Sequence, residues 1–202
     1  MSCYPHNQIV LASASPRRLE LLQQIGLHVL VMPVPVDEVM LDEELPLSFV
    51  QRLALEKARA GFELMSHQGL ELPVLGSDTI VELDGEVFGK PTDTEQAELM
   101  LAKLSGKVHN VHTAVAVKTA EAEYSALSSS QVEFTELSNQ TIKAYVTTGE
   151  PLDKAGSYGI QGVAAQFVKN LNGSYSGVMG LPLFETAELL AKAHMKSLAN
   201  MK

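Results

Sequence analysis

The sequence predicts an α/β fold in which helices flank a central, mixed and twisted sheet, and two observations favour it. Short apolar segments typical of strands alternate with amphipathic helical segments along the 202 residues. Asp84-Gly85 is a two-residue hairpin signal, so some strands pair antiparallel, whereas helical connections favour parallel pairs. No repeat or Pro/Gly-rich linker divides the chain, and we therefore expect a single domain over residues 1–202.

The first elements form a strand-turn-helix unit. The apolar segment from Ile9 to Ala12 predicts a buried strand. Ser15 suits the N-cap of the following helix, Pro16 suits its first position, and Gly26 suits the position just after its end. The turn that leads into this helix therefore consists of small and hydroxyl-bearing residues.

A long helix is expected after an exposed, acidic connection. Residues 27–34 predict a second strand, and the acidic stretch at 37–44 predicts a loop. Ser48 and Gln51 match a capping box that would open the helix. Lys57 falls at the spacing of the apolar residues of this helix, which places it on the core-facing side.

The alternation of strands and helices continues through the second half of the chain. In chain order, the pattern predicts strands at 73–78 and 79–83, a helix from the capping box of Thr92 and Glu95 to about Leu104, paired strands at 108–117 and 124–134, a helix beginning at Ser138, and a terminal helix at 183–195.

Charge and composition exclude some classes of function. The formal net charge of −9 argues against tight, non-specific binding of a nucleic-acid backbone, although a few local cations can still hold a small anion. Cys3 is the only cysteine, so no intramolecular disulfide is possible. No signal peptide is recognisable and no apolar run reaches the ~18–20 residues that span a bilayer. We expect a cytoplasmic protein.

The turn before the first helix is a candidate anion site. A helix N-terminus presents backbone N–H groups and the positive end of the macrodipole. Arg17 and Arg18 stand in this first turn, where a cation costs roughly 0.3–1 kcal/mol unless an anion is bound nearby. Ser13 and Ser15 belong to the same stretch. The alternative is a pair of solvated arginines on an ordinary helix.

Asp78 is the best candidate for a functional carboxylate. It lies between Leu75 and Ile80 in an apolar strand segment, so it needs a metal, a cation or hydrogen bonds to remain charged. The alternative is a turn aspartate that bonds to nearby backbone groups. Charged residues that would complete a site of mixed charge are Glu38, Lys57 and Lys90.

A glycine-rich polar stretch at 153–162 carries Gln161, whose amide can match the donor and acceptor groups of a base. By itself the stretch is more typical of a surface loop. His109 and His112 form the one close histidine pair of the sequence, but a spacing of three on a strand sends them to opposite faces and is poor for sharing a metal.

Several motifs together resemble one known family. In order they are LASASPRRLELL, EKA at 56–58, GSDT, GKP, KLSG, HTAVAV, EPLDKAGSYGIQG and NGSYSGVMGLPL. This series, from about residue 9 to about residue 190, is similar to the Maf family of nucleoside triphosphate pyrophosphatases. The resemblance implies two lobes around a nucleotide cleft, a fold related to the inosine triphosphate pyrophosphatases, and hydrolysis between the α- and β-phosphates by metal-assisted water attack.

The resemblance also implies a role for each candidate residue. Asp78 would be the proton acceptor and, with Glu38, would hold a divalent cation, Mg²⁺ or Mn²⁺. Asp78-Thr79 is similar to the branch of the family that prefers dTTP and UTP, whereas the branch that prefers 7-methyl-GTP typically carries Gln after the Asp. The other assignments place Lys57 and Lys90 in catalysis, Ser13, Ser15 and Arg18 at the phosphates, and Arg17, Thr79 and Gln161 in the choice of base.

Alternatives stay open at this point. They are a 7-methyl-GTP pyrophosphatase, a general metal-dependent phosphatase that releases orthophosphate, and a non-catalytic nucleotide sensor that regulates septum formation. The expected partner is a small nucleoside triphosphate, with a canonical or a modified pyrimidine, rather than a nucleic-acid polymer or a membrane. A homodimer is suggested by the resemblance alone.

Overall fold

Strands and helices alternate along residues 7–195, the part of the chain that the computed structural model describes. Cys3 lies outside these residues. The strands are β1 (Gln8–Leu11), β2 (His28–Val31), β3 (Val74–Leu83), β4 (Glu86–Phe88), β5 (Val108–Lys118), β6 (Glu123–Phe134) and β7 (Val168–Asn172). The helices are α1 (Pro16–Gln24), α2 (Pro46–His67), α3 (Thr94–Leu104), α4 (Asn139–Val146), α5 (Tyr175–Met179) and α6 (Leu183–Lys192).

Within the described residues the seven strands form one mixed sheet in the order β2-β1-β3-β5-β6-β7, with β4 paired to β3. β1 is parallel to both β2 and β3, whereas β3 with β4 and β6 with β7 are antiparallel. β1 and β2 are connected by helix α1 and run parallel, and β3 and β4 form a hairpin, whereas β6 and β7 pair antiparallel although helix α4 lies between them in the chain. The predicted α/β class with a mixed sheet is therefore confirmed.

The hairpin between β3 and β4 turns at Asp84 and Gly85, as predicted. Both residues have positive φ, +54° and +85°, which the favoured two-residue hairpin turns require. Leu83 pairs with Glu86 across the turn.

The predicted capping box at the start of α2 is wrong. The helix begins at Pro46, two residues before Ser48, and its N-cap residue Leu45 makes no side-chain cap. Proline explains the early start, because its fixed φ suits the first helical position and it has no N–H that needs a partner. Ser48 and Gln51 therefore lie inside the helix.

The capping box of α3 exists but is displaced by one residue. Asp93, not Thr92, is the N-cap, and its carboxylate accepts a hydrogen bond from the Gln96 backbone N–H at 2.7 Å. Gln96, not Glu95, reaches back and accepts from the Thr92 backbone N–H at 2.6 Å. Threonine and aspartate are both good N-cap residues, and of the neighbours Thr92 and Asp93 it is Asp93 that caps the helix.

Other boundaries differ in the same modest way. The segments at 73–78 and 79–83 form one continuous strand, β3, because Asp78 does not interrupt the pairing. The final helix ends at Lys192, before the predicted 195. Short 3₁₀ turns at 150–153, 155–157 and 163–167 were not predicted, and neither was β7.

The described residues pack into two compact units, each with its own apolar core. Unit 1 consists of residues 7–78, 113–128 and 180–195, and unit 2 of residues 79–112 and 129–179. One buried cluster in unit 1 comprises Val10, Ala12, Met65, Leu72 and Val74. The larger cluster in unit 2 includes Val81, Leu101, Val132, Phe134, Tyr145 and Phe167.

No helix among residues 7–195 combines the length and the apolar character that crossing a lipid bilayer needs.

Candidate active site

The site in unit 1 depends on a close approach of helix α2 to strand β3. Gly76 lies so near the helix that an added Cβ would overlap the Ala54 carbonyl oxygen and come within 2.6 Å of the Ala58 backbone nitrogen. Only glycine permits this spacing. Lys57, between those two helix residues, is thereby brought against the strand beside Asp78.

Lys57 bridges two carboxylates. Its Nζ donates to Asp78 Oδ1 at 2.6 Å and to Glu38 Oε1 at 2.6 Å. The side chains of Lys57 and Asp78 are only 9% and 11% exposed, whereas that of Glu38 is 47% exposed. Burial of charge is costly unless each charge is paired, and this triad satisfies that requirement. The prediction that Lys57 faces inward is confirmed.

The loop that delivers Glu38 is fixed by Arg52, a residue that the sequence analysis did not single out. Its guanidinium holds both carboxylate oxygens of Glu44 at 2.7 Å and donates to the Val39 carbonyl at 3.0 Å. Glu44 also accepts from the Leu41 backbone N–H at 3.0 Å. The sequence signal was an arginine on a helix shortly after an acidic loop, but the pairing itself spans eight residues.

The first turn of α1 is tied to the strand that carries Asp78. Arg18 donates from Nε to the Gly180 carbonyl at 2.8 Å and from Nη1 to Ser13 Oγ at 3.2 Å. The Ser77 hydroxyl lies within hydrogen-bond distance of two carbonyl oxygens, that of Ala114 at 2.9 Å and the same Gly180 carbonyl at 3.0 Å. Ser13 Oγ also accepts from the Ser15 backbone N–H at 3.2 Å, so the candidate phosphate residues form one connected group.

Electrostatics around Arg18 are balanced between burial and opposite charge. Burial lowers the pKa of Arg18 below its ordinary value and the positive charge of Arg17 adds to this effect, while Asp78 and Glu38 act in the opposite direction. The half-buried guanidinium therefore interacts electrostatically with both carboxylates. Ser15 makes no side-chain cap on α1.

The remaining candidates belong to unit 2. Thr79 follows Asp78 on β3 and is half-buried, while Lys90 and Gln161 are exposed. Successive side chains of a strand project to opposite faces of the sheet, so Asp78 and Thr79 point in different directions. The role of Thr79 in choosing the base thus depends on the resemblance alone.

The donor set of unit 1 fits a divalent cation that is shared with a substrate. Within residues 7–195 no group of three or more His, Cys, Asp or Glu is placed to hold a metal. Glu38 and Asp78 nevertheless converge on one ammonium, so their carboxylates are close together. Mg²⁺ is commonly bound by one or two carboxylates together with phosphate oxygens and water, which is what this pair could offer.

The two histidines of β5 have separate partners. His109 Nε2 is 2.9 Å from the Tyr158 hydroxyl, and His112 Nδ1 is 2.8 Å from the Ser129 hydroxyl. Both rings are buried.

Comparison with known proteins identifies the family of this chain. Residues 8–193 match the model of a family described as Maf-like protein. The chain belongs to the Maf-like protein family. This match covers nearly the whole chain and confirms the resemblance that the motifs indicated.

Relatives of this Maf-like chain are similar along almost their full length. A protein of Shewanella denitrificans named dTTP/UTP pyrophosphatase is 55% identical over 189 residues, which cover 90% of this chain and 94% of the relative. A protein of Alkalilimnicola ehrlichii with the same name is 54% identical over 188 residues, with 92% of each chain covered. A protein of Haemophilus ducreyi named nucleoside triphosphate pyrophosphatase is 45% identical over 194 residues, with 96% and 98% covered.

Among solved structures, the Ham1 protein of Staphylococcus aureus aligns with 63% of this Maf-like chain and 71% of its own, at 17% identity and a TM-score of 0.43. So partial an alignment carries no conclusion, and the relation to the inosine triphosphate pyrophosphatases stays a prediction.

Proposed function

We propose that this Maf-like chain is a nucleoside triphosphate pyrophosphatase that hydrolyses dTTP and UTP to the nucleoside monophosphate and pyrophosphate. Relatives with 45–55% identity carry names of this activity. The observation that carries the proposal is the buried Lys57–Asp78 pair with Glu38 beside it, because it holds a carboxylate in a fixed position next to a cation. That arrangement suits a general base, and the neighbouring positive charge of Lys57 favours the approach of a phosphate group.

Asp78 is the proton acceptor in this mechanism. Lys57 holds Oδ1 and fixes the direction of the carboxylate, so Oδ2 is the oxygen that takes the proton from a water molecule. The water oxygen forms the new bond to the α-phosphorus. The bond from that phosphorus to the α,β-bridging oxygen breaks, and its electron pair leaves with pyrophosphate.

Cations stabilise the charge that moves to the leaving group. Arg18, already anchored by Ser13 and Gly180, and Arg17 lie in the first turn of α1, whose N-terminus favours anions. Ser15 belongs to the same turn. Lys57 and Lys90 contribute further positive charge, Lys90 by the family resemblance alone.

Glu38 and Asp78 would hold a divalent cation, Mg²⁺ or Mn²⁺, together with phosphate oxygens. When bound, such an ion neutralises phosphate charge and makes a water more acidic. Base choice is assigned to Arg17, Thr79 and Gln161, on the resemblance to the dTTP/UTP branch.

The decisive experiment is product identification with the Asp78→Asn variant. We expect the unaltered chain, with Mg²⁺ or Mn²⁺, to convert dTTP and UTP to monophosphate and pyrophosphate. Asp78→Asn should fold normally and lose turnover by roughly 10²–10⁴-fold, the usual contribution of a general base. The matched control is Asp42→Asn, an exposed aspartate of the acidic loop, which should retain activity.

Other products would point to other functions. Orthophosphate as the first product would indicate a general phosphatase, and preference for 7-methyl-GTP would indicate the other branch of the family. Nucleotide binding without turnover would indicate a sensor. Near-normal activity of Asp78→Asn would remove Asp78 from its role as base.

A further inference from the structure

Glu150 of unit 2 is the centre of a hydrogen-bond cluster to which no role has been assigned. Its Oε1 accepts from the Tyr145 hydroxyl at 2.8 Å, and its Oε2 accepts from the Val163 backbone N–H at 2.9 Å. A longer contact of 3.5 Å joins the Ala164 backbone N–H to Oε1. Burial and the bond to Glu150 raise the pKa of the Tyr145 hydroxyl, so it remains a donor. The carboxylate thus links helix α4 to the start of the 163–167 segment.

The segment that Glu150 secures begins with a tight turn that presents Gln161. The Gly162 backbone N–H donates to the Gly159 carbonyl at 2.9 Å, which closes a four-residue turn. Ile160 is buried at 6% exposure, whereas Gln161 beside it is exposed. One side chain of the turn is therefore an anchor and the other faces outward.

Tyr145 and Glu150 touch both ends of this turn. The Gly159 backbone N–H donates to the Tyr145 hydroxyl at 3.4 Å, and Val163 follows directly after Gly162. At Gly162 an added Cβ would lie 2.5 Å from the Glu150 carboxyl carbon, so the turn backbone rests directly on the carboxylate.

Lys154 also contacts this hydrogen-bond cluster, both at Glu150 and beside Gly159. Its Nζ donates to the Glu150 carbonyl at 2.6 Å, and its stem fills the space beside Gly159, where an added Cβ would lie 2.8 Å from Lys154 Cε. A side chain at Gly159 or Gly162 would have to displace the Lys154 stem or the Glu150 carboxylate from these contacts. The turn therefore has little freedom to shift against Glu150.

We infer that Glu150 and Tyr145 are positioning residues that set the nucleotide preference by fixing the turn at 159–162 and hence the Gln161 amide. The inference rests on the proposed function, in which Gln161 contacts the base. A glutamine amide offers one donor and one acceptor and matches the adjacent carbonyl and N–H of uracil and thymine. Guanine carries the same carbonyl and N–H pair farther from its sugar, so discrimination requires that the backbone carrying this amide stays in place.

The test compares the kinetics of Glu150→Gln and Tyr145→Phe with those of the unaltered chain. Glu150→Gln keeps the shape but removes the charge and one strong acceptor, and Tyr145→Phe removes only the hydroxyl. Both should raise KM for dTTP and UTP and lower the preference for dTTP over GTP by roughly threefold to tenfold, as expected for loss of a charge-assisted hydrogen bond. The kcat for dTTP should stay within about twofold, because the Asp78 chemistry is untouched.

The matched control is Glu133→Gln, which breaks an exposed pair with Lys169 in the same unit. It should leave the nucleotide preference unchanged. Thermal midpoints of all variants separate loss of folding from loss of positioning, and Tyr145→Phe serves where Glu150→Gln does not fold. A fall in kcat for every nucleotide with an unchanged preference would overturn the inference.

A double-variant cycle distinguishes failure of this inference from failure of the proposed function. Gln161→Ala should by itself lower the preference for dTTP over GTP, and adding Glu150→Gln to it should change the preference no further. If Gln161→Ala leaves the preference unchanged, the proposed role of Gln161 fails. If Gln161→Ala alters the preference but Glu150→Gln does not, or if the two effects simply add, the positioning role fails.

Discussion

Individual residues show how burial adjusts chemistry, and His109 is a clear case because burial is the sole cause of its pKa shift. Its ring is 1% exposed and makes edge-to-face contacts with Phe134 and Tyr158, at centroid distances of 4.9 and 5.4 Å. Nε2 bonds to the Tyr158 hydroxyl, whereas Nδ1 is buried without a hydrogen-bond partner. Burial lowers the pKa of His109 to about 4. The folded protein therefore holds this ring neutral.

The lowered pKa predicts a specific loss of stability in mild acid. The unfolded chain takes up a proton on His109 below its ordinary pKa of 6.5, whereas the folded chain does so only near pH 4. The stability contributed by the neutral ring is thus complete above pH 6.5 and falls by about 3 kcal/mol as the pH drops to 4. In His109→Gln, the slope of the free energy of unfolding against pH should flatten within this window, as measured by urea unfolding.

His28→Gln, a substitution at an exposed histidine of the same chain, is measured beside it as the control. His112 contributes a residual slope in both variants, because burial lowers its pKa as well, against the opposing effect of Glu82. Identical slopes for His109→Gln and the unaltered chain would contradict the explanation by burial.

At the scale of elements, the acidic loop before α2 is secured by side chains rather than by regular structure. Arg52 makes a two-pronged contact with Glu44 and also bonds to the Val39 carbonyl, next to Glu38. Arg52 also lowers the pKa of Glu44 to about 2, chiefly through their hydrogen bond. The contact therefore weakens only in strong acid, as the pH falls from about 4.5 through about 2.

Arg52→Lys should loosen this loop and slow the reaction. A lysine presents one ammonium and cannot hold both carboxylate oxygens and a carbonyl in the same planar arrangement. We expect faster backbone hydrogen exchange in residues 38–45 and a several-fold fall in kcat for dTTP, with the fold retained. The control is Arg59→Lys on the same helix, because Arg59 holds both oxygens of Glu123 at 2.7 and 3.0 Å. Equal effects in the two variants would show that the Arg52 contact has no special part in placing Glu38.

Local patterns predicted the elements well and their ends less well. The α1 unit, the Asp84-Gly85 hairpin and the inward position of Lys57 follow from short-range preferences, so the sequence revealed them. The spacing of Ser48 to Gln51 predicts a cap, but Pro46 starts the helix earlier. Where two neighbouring residues could each begin a helix, tertiary packing decides between them, and a local sequence pattern carries no information on that packing.

At the scale of the whole molecule, the net charge bears on which partners are excluded. With a formal charge of −9, the chain has few cations to replace the counterions of a polynucleotide. We expect no retardation of duplex DNA at micromolar protein in about 50 mM salt, the low end of the range where electrostatic binding is strong. Saturable binding that weakens as salt is added would contradict this, and competition by dTTP would then show whether the candidate site is involved.

The site was predicted less completely than the fold because its contacts are distant in sequence. Glu38 and Lys57 are 19 positions apart, and only the structure shows that one ammonium serves both carboxylates. Glu150 opens the motif EPLDKAGSYGIQG, but nothing in the sequence indicated a role for it, because an acidic residue before a proline is ordinary in a loop. Its carboxylate accepts a hydrogen bond from a backbone N–H thirteen residues later, and a pattern of residue types cannot indicate such a contact.

The close packing at Gly76 has a consequence for engineering this protein to withstand heat. Replacing glycine by alanine is a common route to thermal resistance, since it removes disorder from the unfolded chain and gains about 0.4–1 kcal/mol. At Gly76 the added methyl group would push α2 off β3 and draw the Lys57 ammonium away from Asp78. A variant designed by that rule would lose the packing of α2 on β3 as well as the proposed catalytic geometry, so this glycine is one to hold constant.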